Sequence, residues 1–162
     1  MKNINYLYPY WGSEHLSATE FIKSAKDLGF QGIEINIPNN EAFEKKFLKN
    51  ITAIRNSDSD FICVVQQVLA IKLESVDEYI TSVINRLERS LPFKPDFINS
   101  HTGKDYYSFE DNCRIIVAIE NFSVTHNIPI YHEIHRGRFT FHSATTLSYL
   151  DKYPELKLVG DL

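Results

Sequence analysis

The heptapeptide His132-Glu133-Ile134-His135-Arg136-Gly137-Arg138 gathers one acid, two imidazoles and two guanidiniums at the end of an apolar run. Pro129-Ile130-Tyr131 leads into it, so a short strand delivers these groups to one strand tip. Side chains alternate along a strand: Tyr131, Glu133 and His135 share one face, and Ile130, His132 and Ile134 take the other. A carboxylate on an inner strand face is costly to bury unless it meets a cation or a hydrogen-bond donor. A metal ion or a catalytic proton transfer would supply the reason; a structural ion pair of Glu133 with His135, Arg136 or Arg138 is the simpler alternative. Leu158-Val159-Gly160-Asp161-Leu162 reads as a later strand that also ends in a carboxylate.

Other residues could join this chemistry. Asp161 could reach the same mouth as Glu133, although an Asp after a strand also serves as a turn residue or helix cap. Two hard carboxylates with an imidazole suit Mn2+, Mg2+, Co2+ or Zn2+. His101, in Asn99-Ser100-His101-Thr102-Gly103, ends another strand and is either a site residue or a satisfied structural histidine. Glu34 is either a site wall or a salt-bridged core acid. Arg136 and Arg138 flank Gly137 and could hold a carboxylate or phosphate; a solvated loop or a pairing with Glu133 is equally open. Tyr8, Tyr10 and Trp11 could stack on an apolar ligand face, with core packing the use expected for at least two of them. His132 points to the helix side and reads as structural, and one of Gln66 and Gln67 should face the mouth.

Short apolar runs alternate with amphipathic ones from end to end. The pattern predicts strands near Ile4–Tyr8, Gly32–Ile37, Asp60–Gln67, Asp96–His101, Ile130–His135 and Leu156–Asp161. Helices are predicted near Ala18–Leu28, Glu41–Arg55, Val76–Ser90, Phe109–His126 and Ala144–Lys152. Ser17 with Glu20 forms a capping box, Leu16 with Phe21 a hydrophobic staple, and Gly29 closes the helix. Ser75 with Glu78 repeats the cap, and Ser108 with Asp111 approximates it.

Strict alternation implies parallel strands with right-handed crossovers. No linker interrupts it, so a single domain over 1–162 is expected. An open doubly wound sheet would be complete at this length, whereas a (β/α)8 barrel needs about 250 residues. Polar residues on one face near the strand ends (Glu34 and Asn36, Asn99 and His101, Glu133 and His135, then Asp161) favour the barrel. The turn after the first strand, Tyr8-Pro9-Tyr10-Trp11-Gly12-Ser13, is aromatic rather than glycine-rich, which disfavours a nucleotide fold.

The bulk properties narrow the partners. The chain has 162 residues, 43% hydrophobic, with a net charge of −4. No Lys/Arg cluster stands out, so nucleic acid is not an expected partner. Cys63 and Cys113 lack metal-ligand spacing and read as reduced, buried residues. No run is long and apolar enough for a signal peptide or membrane span, so a soluble cytoplasmic protein is expected.

The motifs resemble the xylose isomerase-like TIM barrels, which comprise sugar phosphate isomerases and epimerases and endonuclease-IV-type repair enzymes. The matching pieces are Leu28-Gly29-Phe30-Gln31-Gly32-Ile33-Glu34-Ile35, Ser100-His101-Thr102-Gly103, the heptapeptide 132–138, and Pro154-Glu155-Leu156-Lys157-Leu158-Val159-Gly160-Asp161. The resemblance implies a divalent metal held by Glu133, Asp161 and His101 at the barrel mouth. Glu133 would also move a proton, and His135, Arg136, Glu34 and Trp11 would contact a sugar or sugar phosphate. The implied reaction is proton transfer between a ketose and an aldose through an enediolate. Cleavage at abasic DNA and a non-catalytic sugar-binding or assembly module are the alternatives.

The family continues past the strand-six aspartate with a histidine and two further strands. The sequence is therefore expected to be a fragment or a shortened reading frame covering about six of eight βα units. If it stands alone, neither measurable isomerase activity nor tight metal binding is expected, and unpaired edges favour a homodimer.

Overall fold

The computed structural model describes residues 4–70 and 72–160. Six strands alternate with five helices among them. The strands are β1 (Leu7–Pro9), β2 (Gly32–Ile35), β3 (Ile62–Gln67), β4 (Phe97–Ser100), β5 (Ile130–Glu133) and β6 (Leu158–Val159). The helices are α1 (Ala18–Asp27), α2 (Glu41–Ser57), α3 (Val76–Glu88), α4 (Phe109–His126) and α5 (Ser143–Lys152), with a 3-10 turn at Leu91–Phe93. Strand order is chain order, and the four pairings described below are parallel. Contacts divide the chain into two compact units, one of residues up to Gln66 with Ser90–Asp96, the other of Gln67–Arg89 with residues from Phe97 onward.

In the first unit β1 pairs with β2 and β2 with β3, setting Leu7 beside Gly32 and Gly32 beside Ile62. A side chain at Gly32 would collide with the Ile62 backbone, so this close approach of two strands needs glycine. Phe21, Ile22 and Ala25 on one stripe of α1 bury against Ile33, Ile35, Phe47 and Phe61. Ser17 and Glu20 cap α1 reciprocally, as expected. Leu16 packs on the same core cluster as Phe21. Tyr8 and Tyr10 pack into that core as well. Asp96 ties the turn before β4 to β3: its N–H donates to Cys63 O, and its Oδ2 accepts from Cys63 N–H at 2.7 Å. Arg55 completes the clasp by donating to Lys94 O and Asp96 Oδ1.

In the second unit β4 pairs with β5, placing Ser100 beside His132, and β5 pairs with β6, placing Glu133 beside Val159. The expected capping box at Ser75 and Glu78 opens α3, and Ser108 caps α4. A buried polar chain crosses this unit. Ser100 Oγ donates to Gln67 Oε1 at 2.7 Å and meets Thr102 Oγ1 at 2.8 Å. Thr102 meets His132 Nδ1 at 2.7 Å, and His132 Nε2 meets Glu120 of α4 at 3.0 Å. His132 thus faces the helix side, and its fully buried ring has partners at both nitrogens.

The strands are shorter than the apolar runs suggested. β1 starts at Leu7 rather than Ile4, and Ile4 and Tyr6 are exposed. β4 stops at Ser100 and β5 at Glu133. His101 and His135 therefore stand in the loops just after their strands. β5 gives way to a turn after Glu133: Thr140 Oγ1 donates to Glu133 O at 2.6 Å, and Gly137 takes φ +77°. Asp161, expected to end the sixth strand, lies outside the described residues.

Candidate metal centre

The ends of β4 and β5 hold a buried carboxylate between two imidazoles. His101 is fixed from both sides through its backbone. Its N–H donates to Gln67 O at 2.9 Å, and its carbonyl accepts from the Tyr79 hydroxyl of α3 at 3.2 Å. Glu133 is 3% exposed. Its Oε2 accepts from Asn99 Nδ2 at 2.6 Å and lies 2.8 Å from His101 Nε2. That second approach has ion-pair distance without hydrogen-bond direction, and neither ring nitrogen of buried His101 has a hydrogen-bond partner.

His135 is exposed and completes the group. Its ring centroid lies 4.6 Å from that of His101. Nδ1 is 2.7 Å from the Arg136 carbonyl, an acceptor, so Nδ1 carries a proton and Nε2 is the nitrogen left for a ligand. Thr140 braces the turn, accepting from His135 N–H while donating to Glu133 O.

Electrostatics keep Glu133 ionised. Burial, the largest single influence, pushes its pKa up. The contacts with His101 and Asn99 and the nearness of His135 together outweigh it, and the carboxyl is held below the ordinary glutamate range.

One ligand atom from each of His101, Glu133 and His135 lies within 4.8 Å of the others. Together they would offer two nitrogens and one carboxylate oxygen to a single ion. A buried histidine with no bonded nitrogen is what an unligated metal ligand looks like. The donors fit a divalent cation of the borderline kind.

The remaining expected site residues divide. Arg136 is exposed in the same loop, and Arg138 is buried, donating to Leu69 O at 3.2 Å. Among the described residues no ion pair joins either arginine to Glu133, whose partners are His101 and Asn99. Glu34 and Trp11 belong to the first unit. Glu34 is half-buried and accepts from Gln66 Nε2 at 3.2 Å, while Trp11 is 85% exposed. Gln67 is buried in the chain of Ser100 and Thr102. Sequence reasoning passed over Thr140 and Lys104. Thr140 carries no pattern that would single it out. Lys104 had a signal: it closes His101-Thr102-Gly103-Lys104, which repeats the spacing of His135-Arg136-Gly137-Arg138.

No protein-family model matches the sequence, and no curated protein matches it. Solved structures do match. The probable 3-DHS dehydratase AsbF of Bacillus anthracis, involved in petrobactin synthesis, aligns at a TM-score of 0.73 with 21% identity over 98% of this chain. The apo homocysteine methyltransferase MmuM of Escherichia coli aligns at a TM-score of 0.58 with 13% identity, again over 98% of this chain. The alignments cover 63% of AsbF and 72% of MmuM, so the chain spans less than two thirds of AsbF's length. These likenesses show the fold alone: six parallel strands alternating with helices, part of a (β/α) barrel of the TIM type. No helix among the described residues is long and apolar enough to cross a membrane.

Proposed function

We propose that the chain carries the metal and proton-transfer centre of a sugar isomerase or epimerase, with Glu133 as the proton-moving group. The observation that supports this most is the buried Glu133 set beside His101 and His135, each of the three offering one ligand atom within 4.8 Å of the others. His101, Glu133 and His135 would hold a divalent ion, with Asp161 a further candidate ligand. Such an ion, when bound, polarises a carbonyl oxygen and makes the adjacent C–H more acidic. Glu133 then takes a proton from that carbon and returns it to a neighbouring position or the opposite face. Asn99 holds the carboxylate in line, and Arg136 at the rim contacts the ligand's polar groups.

A dehydratase is the second reading, favoured by the likeness to AsbF. Elimination of water begins with the same removal of a proton beside a carbonyl. It differs in the next step, where a hydroxide leaves from the adjacent carbon instead of a proton returning. Both readings therefore predict the same partial reaction, exchange of the carbonyl-adjacent proton with solvent. We expect this exchange when the chain is incubated with Mn2+ and a panel of ketoses in D2O and followed by proton NMR. It should vanish in Glu133→Gln. A released enone or a rearranged sugar then separates dehydratase from isomerase, and no exchange with any ketose contradicts both.

A further inference from the structure

The two turns that follow β4 and β5 repeat one pattern: histidine, any residue, glycine, cation. Gly103 and Gly137 take φ of +62° and +77°. Each turn sends its closing cation inward, so that Lys104 is 0% exposed and Arg138 4%. Lysine and arginine are almost never fully buried without a partner. Yet Lys104 Nζ has no hydrogen-bond partner, and in Arg138 both Nε and Nη1 lack one.

The placement is built. Asn112 clamps the Lys104 backbone, accepting from its N–H at 3.1 Å and donating to its carbonyl at 2.8 Å. A side chain at Gly103 would strike that Asn112 oxygen. The Lys104 ammonium lies 5.2 Å over the ring of Tyr79. Arg138 lines a cavity of about 70 Å3 with Tyr107, Asn112 and Phe139.

One internal acid offsets these charges in part. Glu74 has its side chain 3% exposed, 3.0 Å from Lys72 Nζ, and neither carboxylate oxygen accepts a hydrogen bond. Burial lowers the pKa of Lys104, Arg138 lowers it further, and Glu74 opposes both. Lys104 and Arg138 together leave three buried donor atoms unused, so an anion is the missing complement.

We propose that Lys104 and Arg138 form an oxyanion subsite that takes the phosphate or carboxylate group of a ligand, with Glu74 as its internal competitor. The subsite shares its turn with His135, whose carbonyl accepts from the Arg138 backbone N–H at 3.2 Å. Its role in substrate choice rests on the function proposed above, whereas anion binding itself does not.

The test is calorimetric titration of the full chain with inorganic phosphate in the presence of EDTA, repeated with malonate. Saturable uptake of one anion per chain is expected, with a preference for phosphate or malonate marking which group the subsite takes. Affinity should fall about tenfold or more in Lys104→Met and in Arg138→Met, the worth of a charged hydrogen bond. It should rise in Glu74→Gln, which keeps the shape and removes the competitor. Failure of both anions to bind, equal binding in the two Met variants, or no gain in Glu74→Gln overturns the subsite. Metal uptake without anion binding counts against the subsite alone, and anion binding without metal uptake against the metal centre alone.

Discussion

Glu133 owes its setting to side chains one strand away. Asn99 Nδ2 holds Oε2 at 2.6 Å and so aims the carboxylate at the imidazoles. Asn99→Ala is expected to weaken metal binding by about 10–100-fold without unfolding the chain, the usual effect of losing a group that orients a ligand. Competition with a chromophoric chelator, beside circular dichroism, checks this. Cys63 behaves oppositely. Burial pushes its thiol up to about 12, with Arg55 lowering it and Asp96 raising it. At pH 8 the thiolate is therefore scarce and enclosed, and Cys63 is expected to resist iodoacetamide until the chain is unfolded; rapid native labelling by mass spectrometry would contradict this burial. His101, Glu133 and Arg138 were legible as chemistry from their clustering. The partners that hold them were not, because Asn99, Thr140 and Asn112 act through contacts that close only in three dimensions.

Helix and strand identities were legible because local chemistry agrees with them. Ser17 and Glu20 cap α1, and Ser75 and Glu78 cap α3, as side chains that satisfy free N–H groups at a helix start should. Hydrogen bonds from the serine side chain and backbone lower the pKa of Glu20, and those from backbone and side chain lower that of Glu78. Each folded pKa lies below the unfolded value near 4.3, so the stabilisation is present above that pH and is lost as pH falls through the folded value. Acid unfolding of the Glu20→Gln/Glu78→Gln variant should therefore show a shallower loss of stability below about pH 4 than the parent. Strand ends were less legible. Periodicity ran on through His101 and His135, but the turns at Gly103 and Gly137 take the chain out of the ladder first. Gly103→Ala forces a side chain onto Asn112 in a left-handed turn. A loss of about 2 kcal/mol or more is expected in urea unfolding.

At the scale of the molecule, order and parallel pairing of strands followed from simple alternation, which leaves right-handed crossovers as the regular solution. The choice of barrel over open sheet came from polar residues gathered at strand ends, and the likeness to AsbF agrees with it. Glu34 and Trp11, also expected to contact the ligand, lie in the first unit. Among the described residues β1 and β6 are the outer strands of the order, and we propose that they pair with a second copy. We expect sedimentation velocity to show a dimer of the 18.8 kDa chain. The most direct measurement of the central claim is optical titration of the metal-free chain with Co2+. One ion per chain is expected, with visible bands from imidazole and carboxylate ligation that disappear in Glu133→Gln and weaken in His101→Ala and His135→Ala. Absence of Co2+ uptake, or bands unchanged by these three substitutions, would contradict a metal centre at the ends of β4 and β5.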